Sequence, residues 1–210
     1  MFYDLSHAIE NDMPVYPGDP QVGIGRAEQE PPWTVSTLSF GTHTGTHMDA
    51  ARHYYPDGTA IDGYPVARFI VPAAVVDVRG LGDDEPITWE MIADAAGRVP
   101  AGGGVLLSTG WDSHFRDERR LTHPYLTAEA AGGLGAAGVG VVGTDAMNPD
   151  SSVQGTTFVH QILLGHGALL VENLTGLERL EPGRLYRCAF VPLRLAGLDG
   201  SPIRAIAWDE

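Results

Sequence analysis

The 210-residue sequence predicts an α/β fold with a mixed β-sheet. Three observations carry this prediction: Gly and Pro divide the chain into short elements, predicted strands outnumber helices, and most apolar runs are too short for helices. The 27 Gly and 15 Pro are spread over the whole length, and no repeat or low-complexity linker interrupts it. Residues 1–210 are therefore predicted to form one domain.

Strands are predicted from two patterns. Trp33–Phe40 alternates bulky and small polar residues, which is typical of a strand. Short apolar runs bounded by Gly or Pro indicate buried strands at Ala73–Val78, Val105–Ser108, Val139–Val142 and Ala168–Glu172. The last third is also rich in strands, with Arg184–Leu193 and Ile203–Trp208 expected as a hairpin closed around Leu198–Pro202.

Three helices are expected between these strands. Thr88–Ala96 has a threonine suited to capping its first turn, and Thr127–Ala137 begins in the same way. Phe158–Leu164 is the third. The sequence thus places helices between strands, as an α/β fold requires.

Composition excludes several functional classes. A formal charge of -14 argues against nucleic acid as a partner, because phosphate binding needs clustered Lys and Arg. Apolar runs such as Val71–Val78 are too short to span a bilayer, and the N-terminus lacks the pattern of a secretory signal. The one cysteine, Cys188, lies in an apolar stretch and is interpreted as a core residue. These features predict a cytoplasmic protein without disulfides, membrane contact or nucleic-acid partner.

A cluster of potential metal ligands is the most informative segment. Within GTHTGTHMDAARH, residues 41–53, stand His43, His47, Asp49 and His53. Imidazole and carboxylate groups at this density are typical of a zinc-type site, and a polar surface loop is the alternative. A strand continuing from Trp33–Phe40 would direct residues 43, 47 and 49 to one side, but it must bend for one ion to reach them. Gly45 supplies that freedom.

Two distant residues are further candidates. His160 stands in an otherwise apolar turn, and Glu172 ends an apolar run. A carboxylate entering a buried edge needs compensation, which a cation provides. A purely structural role is the alternative for each.

The sequence resembles the cyclase family that includes bacterial kynurenine formamidase and isatin hydrolase. Its signature, His-x-Gly-Thr-His-x-Asp-x3-His, is matched in full from His43 to His53. The similarity covers most of the chain, and His160 and Glu172 have the spacing of the family's late ligands. It continues in FYDLSHAI near the start, PVYPGDP (Pro14–Pro20), Trp111-Asp112, GTDAMNPD (Gly143–Asp150) and LDGSPIRAI (Leu198–Ile206).

The resemblance implies a barrel-like sheet with flanking helices and a homodimer or larger homo-oligomer. In the formamidases two zinc ions are bound, and His43, His47 and Asp49 match the first ligand set. Asp49 and Glu172 would bridge to a second ion held by His160, and His53 would be the catalytic acid/base. Isatin hydrolases resemble this with manganese, so Zn²⁺ or Mn²⁺ and one or two ions stay open.

One position departs from the formamidase pattern. Tyr16 stands where the formamidases carry a tryptophan that contacts the aryl substrate. Tyrosine can still stack on an aromatic ring, so Tyr16 is a candidate substrate-binding residue, with packing in a Pro-rich turn as the alternative. The change weakens the case for N-formylkynurenine without excluding another aromatic amide. Arg52 could orient a substrate carboxylate, with a salt bridge or simple exposure as the alternative.

The expected activity is hydrolysis of an amide C–N bond in a small, aromatic substrate, either an N-formyl arylamine or a cyclic amide such as isatin. A bound divalent ion brings the pKa of water toward ~7, which makes hydroxide available without a protein nucleophile. His53 would serve as general base and then as general acid. The alternatives are a cyclase or dehydratase that uses the metal as a Lewis acid, and a non-catalytic binder.

Overall fold

A computed structural model describes residues Met1–Asp209 and contains twelve strands and three α-helices within them. Six further single-turn 3-10 helices connect them, and the one at Ala51–His53 belongs to the candidate site. The helices are α1 (Trp89–Arg98), α2 (Ala128–Ala136) and α3 (Phe158–Gly165). The strands are β1 (Phe2–Asp4), β2 (Gly23–Arg26), β3 (Ser36–Ser39), β4 (His47–Asp49), β5 (Ile70–Asp77), β6 (Pro86–Ile87), β7 (Gly104–Ser108), β8 (Tyr125–Leu126), β9 (Val141–Thr144), β10 (Leu169–Glu172), β11 (Leu185–Pro192) and β12 (Gly200–Trp208).

Seven strands form a closed, barrel-like sheet in the order β12-β11-β5-β7-β9-β10-β4, and β4 pairs again with β12 to complete the ring. Strands β5, β7, β9 and β10 are parallel, whereas the pairings of β11, β12 and β4 are antiparallel. Strand β1 pairs with the last residues of β12, on the same side of β12 as β4, which pairs with its first residues. The predicted α/β fold with a mixed, barrel-like sheet is confirmed.

Side chains along the parallel strands point alternately to the two faces of the sheet, and this alternation divides the apolar core into two layers. Ala74 and Val76 of β5 pack with residues of all three helices, while Ala73 and Val75 pack with side chains from the other ring strands. Successive side chains of a strand point to opposite faces, so a strand buried on both faces is apolar throughout. This explains why these strands are continuous apolar runs in the sequence.

The predicted helices are found within two residues of their expected ends, but their caps differ. The Thr127 hydroxyl accepts a hydrogen bond from the amide of Ala130, 3.1 Å away, and so caps α2. Thr88 occupies the N-cap position of α1, yet its side chain makes no capping hydrogen bond. None of the helices in the described part of the chain is long and apolar enough to cross a bilayer.

Two strand predictions need correction. Trp33–Phe40 contains only the short strand β3, which pairs with β2 in a separate two-stranded sheet and is exposed throughout. The chain bends before the histidine cluster, as predicted, but no strand continues through it, because residues 40–46 form turns before β4 begins at His47. The C-terminal turn also lies earlier than expected, since β12 already begins at Gly200.

Candidate metal centre

Strand β4 places two candidate ligands on one face. His47 and Asp49 are two residues apart and therefore point to the same side, while Met48 between them packs into the apolar interior. Both are almost fully buried, with 2% and 0% exposure. In the ladder, His47 lies opposite Glu172 of β10, and Asp49 lies opposite Gly200 of β12. The registers of β4 thus bring Glu172 and the start of β12 to the cluster.

His43 reaches the cluster from the turn before β4. Gly45 has a φ of 60°, a conformation that favours glycine, and this bend returns the chain so that His43 lies beside Asp49. The two side chains approach to 2.7 Å between His43 Nδ1 and Asp49 Oδ1. Gly200 makes room for the His43 ring, because a Cβ there would lie 2.9 Å from its Cε1 atom. The predicted bend at Gly45 is confirmed.

His160 enters from the first turn of α3, and Asp150 fixes it there. The Asp150 carboxylate accepts hydrogen bonds from the amides of Val159 and His160, both at 3.0 Å, and from His160 Nδ1 at 2.8 Å. One carboxylate therefore caps the helix and orients the ring. An imidazole held by its Nδ1 in this way presents Nε2 as a free ligand atom.

The early and late candidates converge on the same point. His47 Nε2 lies 3.3 Å from Asp49 Oδ1 and 3.3 Å from Glu172 Oε2. His160 Nε2 lies 3.3 Å from Glu172 Oε1 and 3.5 Å from Asp49 Oδ2. Two overlapping groups have their ligand atoms within 4.8 Å of one another, and Asp49 belongs to both: His43–Asp49–His53 and His47–Asp49–Glu172.

Two buried carboxylate oxygens in this cluster have no hydrogen-bond partner among the described residues, namely Asp49 Oδ2 and Glu172 Oε1. Leaving a buried charged oxygen unsatisfied is costly. The His47 ring is also oriented for coordination, since its Nδ1 lies 2.9 Å from the carbonyl oxygen of Gly45 and leaves Nε2 toward the carboxylates. The arrangement fits a divalent cation.

The electrostatics of the cluster also call for positive charge. Burial alone would lower the pKa of His47, but attraction by Asp49 and hydrogen bonds to both carboxylates raise it to about 10. The pKa of His160 is raised in the same way, with Asp150 as the largest contributor after burial. Burial would raise the pKa of Asp49, yet the surrounding imidazoles hold it well below its usual value. The carboxylates are therefore ionised, and protonated imidazoles balance them in the metal-free protein, at the place where a divalent cation would supply the positive charge.

His53 lies at the rim of this cluster, at the end of the 3-10 helix Ala51–His53. Its side chain is 35% exposed, and its ring centroid is 4.0 Å from that of His43 and 5.5 Å from that of His160. Burial lowers its pKa, and the neighbouring imidazoles outweigh part of the opposing pull of Asp49. His53 is therefore neutral near pH 7 and can accept a proton.

Asp199 links His53 to the cluster and was not singled out by the sequence. Its Oδ2 lies 2.8 Å from His43 Nε2 and 3.6 Å from His53 Nδ1, and its Oδ1 accepts a hydrogen bond from Thr42. Asp150 was missed as well. Both lie in segments already noted for the resemblance, GTDAMNPD and LDGSPIRAI, but nothing in their spacing indicates which acid orients a histidine.

A cavity of about 270 Å³ opens beside the cluster. Tyr16 lies on its wall at 37% exposure, whereas Arg52 is exposed and does not line it. The lining includes candidate ligands, aromatic rings and polar groups: His43, His47, His53, His160, Glu172, Tyr16, Tyr54, Met147, Asn148 and Asp19. The cavity offers a small aryl group access to His53.

Known proteins are similar to the chain in sequence and in fold. The family model described as "Putative cyclase" matches residues 3–151. A kynurenine formamidase of Erythrobacter litoralis is 30% identical over 207 residues, which is 97% of this chain and 92% of that protein. Isatin hydrolase A from Labrenzia aggregata, solved with benzyl benzoate, has a TM-score of 0.88 at 26% identity and covers 99% and 93% of the two chains. A structure described as a potential metal-dependent hydrolase with cyclase activity has a TM-score of 0.83 at 25% identity and covers 100% and 98%.

Proposed function

The chain belongs to the cyclase family, and from that premise we propose that it is a metal-dependent hydrolase cleaving a non-peptide amide C–N bond of a small aromatic substrate. One observation carries the proposal: the imidazoles of His43, His47 and His160 surround the carboxylates of Asp49 and Glu172, and each carboxylate keeps one buried oxygen without a hydrogen bond. His53 lies at the rim of this cluster, with 35% of its side chain exposed. The substrate is an N-formyl arylamine, such as N-formylkynurenine, or a cyclic amide such as isatin.

His43, His47, Asp49, His160 and Glu172 would hold the ion. Mixed imidazole and carboxylate donors suit Zn²⁺, with Mn²⁺ as the alternative. Asp49 belongs to both groups of potential ligands, so one ion or two per subunit would fit these residues. When bound, a divalent ion acidifies water and polarises the scissile carbonyl.

His53 supplies the proton transfer. Its lowered pKa keeps the ring neutral at pH 7, so it can take a proton from the attacking water and deliver it to the leaving nitrogen. Asp199 faces His53 Nδ1, which leaves Nε2 of the ring for the cavity. A positioned imidazole of this kind commonly accelerates such a step by ~100- to 10,000-fold.

The cysteine does not provide an alternative, covalent mechanism. Cys188 is fully buried in β11, and burial raises the pKa of its thiol to about 12. A thiol with this pKa carries almost no thiolate at neutral pH and is a poor nucleophile.

The proposal is tested by metal analysis of the purified protein together with a hydrolysis panel of formanilide, N-formylkynurenine and isatin. We expect bound Zn²⁺ or Mn²⁺ and release of formate or a ring-opened carboxylate, abolished by a chelator and restored by the metal. Turnover that a chelator leaves unchanged would contradict it. A cyclase or dehydratase would instead hold the metal, hydrolyse none of the three amides and eliminate water from a substrate.

The oligomeric state and the cellular compartment are also part of the proposal. We propose a homodimer or larger homo-oligomer in the cytoplasm, acting on a small molecule. Exposed Trp33 and Leu38, at 72% and 62%, support self-association through the small sheet of β2 and β3. Light scattering of the wild-type protein and of Trp33→Ser checks this, since a monomeric wild-type protein would contradict it. Cell fractionation checks the compartment.

A further inference from the structure

The turn Tyr16–Asp19 presents an aromatic ring and a carboxylate to the cavity together. The amide of Asp19 donates a hydrogen bond to the carbonyl of Tyr16 at 3.0 Å, and Gly18 between them has a φ of 101°. Pro followed by glycine with positive φ is the pattern of a type II turn, in which the first and fourth residues lie within ~7 Å. Both corner residues line the cavity that His53 and Glu172 line.

Among the described residues, nothing binds the Asp19 carboxylate. Within Met1–Asp209 its side chain makes no hydrogen bond and no ion pair, although the side chain is partly buried. Most other acids near the cluster are engaged: Asp150 with His160, and Asp199 with His43. An unengaged carboxylate beside an aromatic ring is the arrangement that binds ammonium groups and strong hydrogen-bond donors.

On the part of the cavity wall that the structure describes, no side chain carries a permanent positive charge. The 13 basic residues of the chain are all arginine, and among the described residues none of them lines the cavity. The four histidines on the wall face the carboxylates of the cluster. A carboxylate on the outer end of a substrate would therefore meet Asp19 as a like charge, without an arginine to receive it.

Resting on the proposed function, we propose that Tyr16 and Asp19 form the subsite for the end of the substrate remote from the scissile amide. This subsite selects single-ring aryl amides whose outer group is neutral or positively charged, and it rejects those whose only charged group there is a carboxylate. The volume of about 270 Å³ lies at the small end for ligand cavities, which matches one ring plus the amide. Asp19 acts on specificity and takes no part in bond cleavage.

The test uses formanilides that differ only in one ring substituent, methyl, aminomethyl or carboxylate, each at the meta and para positions. For the metal-loaded wild-type enzyme we expect kcat/KM for the aminomethyl compound to exceed that for the carboxylate by about tenfold or more, since one charge-assisted contact contributes that much. Asp19→Asn should reduce this ratio by about fivefold or more and leave the methyl compound within about twofold. Tyr16→Leu should lower all three together through loss of stacking.

Glu129→Gln is the matched control, because it removes the same charge from an exposed position on α2 outside the cavity. It should leave all ratios unchanged. A wild-type preference for the carboxylate, or an equal ratio in wild type and Asp19→Asn, overturns the proposal. If no formanilide is hydrolysed, the N-formyl arylamine part of the proposed function fails separately, and calorimetric binding of the matching anilines decides the subsite: the aminomethyl aniline must bind more tightly than aminobenzoate and lose that advantage in Asp19→Asn.

Discussion

Asp49 and Asp145 are both buried acids at the ends of ring strands, but their surroundings give them opposite properties. Asp49 ends β4 among three imidazoles and is 0% exposed, whereas Asp145 follows β9 and is 4% exposed. Asp145 accepts hydrogen bonds from the amides of Thr109 and Gly110, both at 2.9 Å. These donors are neutral, and burial raises its pKa to about 7, while the pKa of Asp49 is held well below its usual value.

The difference shows what the candidate centre is built to hold. Burial disfavours the charged form of any acid; the imidazoles around Asp49 reverse that effect, whereas the neutral donors around Asp145 do not. Neutral donors satisfy Asp145 but leave it close to protonation. The residues around Asp49 and Glu172 maintain two anions in one buried place and leave one oxygen of each without a hydrogen bond. A cation is the partner that such a site requires.

Asp49→Asn should have the largest effect. The amide cannot bridge two ions and removes the shared charge, so we expect loss of bound metal and a fall in kcat/KM of at least ~10,000-fold, about 5.5 kcal/mol of transition-state stabilisation. Metal content and kinetics of the same preparation measure it. A variant that keeps both its metal and its turnover would remove Asp49 from the centre.

His53→Gln separates the role of the partly exposed His53 from the role of the buried ligands. The variant should retain metal and fold, as judged by metal analysis and circular dichroism, and lose kcat by ~100- to 10,000-fold with KM little changed. Loss of metal in this variant would instead identify His53 as a ligand. Retained kcat with an unaltered pH profile would exclude it as the acid/base.

Asp150→Asn tests how the second ring nitrogen of a ligand is held. Because the carboxylate orients His160, its loss should weaken metal affinity by about 10- to 100-fold. The amide can still accept from one helix amide, so the metal-free protein should lose only ~0.5–2 kcal/mol of stability. Competition with a chromogenic chelator gives the affinity and urea unfolding gives the stability. An unchanged metal affinity would show that Asp150 acts only as a helix cap.

Asp145→Asn should act away from the metal centre, on the pH dependence of stability. The native state keeps the Asp145 proton until about pH 7, whereas the unfolded chain releases it near 3.8, so folding takes up a proton between these values. The contribution of this carboxyl to the free energy of unfolding is therefore complete below pH 3.8 and declines as pH rises toward 7. Urea unfolding from pH 5 to 8 should show a steeper decline in wild type than in Asp145→Asn. Parallel curves would contradict the raised pKa.

The sequence anticipates the apolar architecture and the ligand types well, for identifiable physical reasons. Strands such as β5 and β7 are buried on both faces and so form uninterrupted apolar runs, which are visible without coordinates. Imidazole and carboxylate side chains at short spacing reveal a metal-type cluster by their chemistry alone.

Long-range geometry explains what the sequence did not indicate. The predicted strand at 33–40 is shortened to β3, because β3 pairs only with the short strand β2 and ends before the turns at 40–46. Asp150 and Asp199 act on histidines that are 10 and 156 residues away, and only the fold brings those partners together. Asp19 and Tyr16 share a local turn, but their common cavity also requires β10 and α3.

The closure of the barrel at β4 has a consequence for the survival of the protein in a cell. Three residues, His47 to Asp49, close the ring between β10 and β12, and the first and last of them are candidate ligands. Without the cation, Asp49 on this shortest strand of the ring and Glu172 on β10 each keep a buried oxygen without a hydrogen bond, so local opening and protease attack should begin there. If the ion is scarce, the protein should therefore lose its activity and also be degraded faster. The abundance of the protein would then follow the supply of metal.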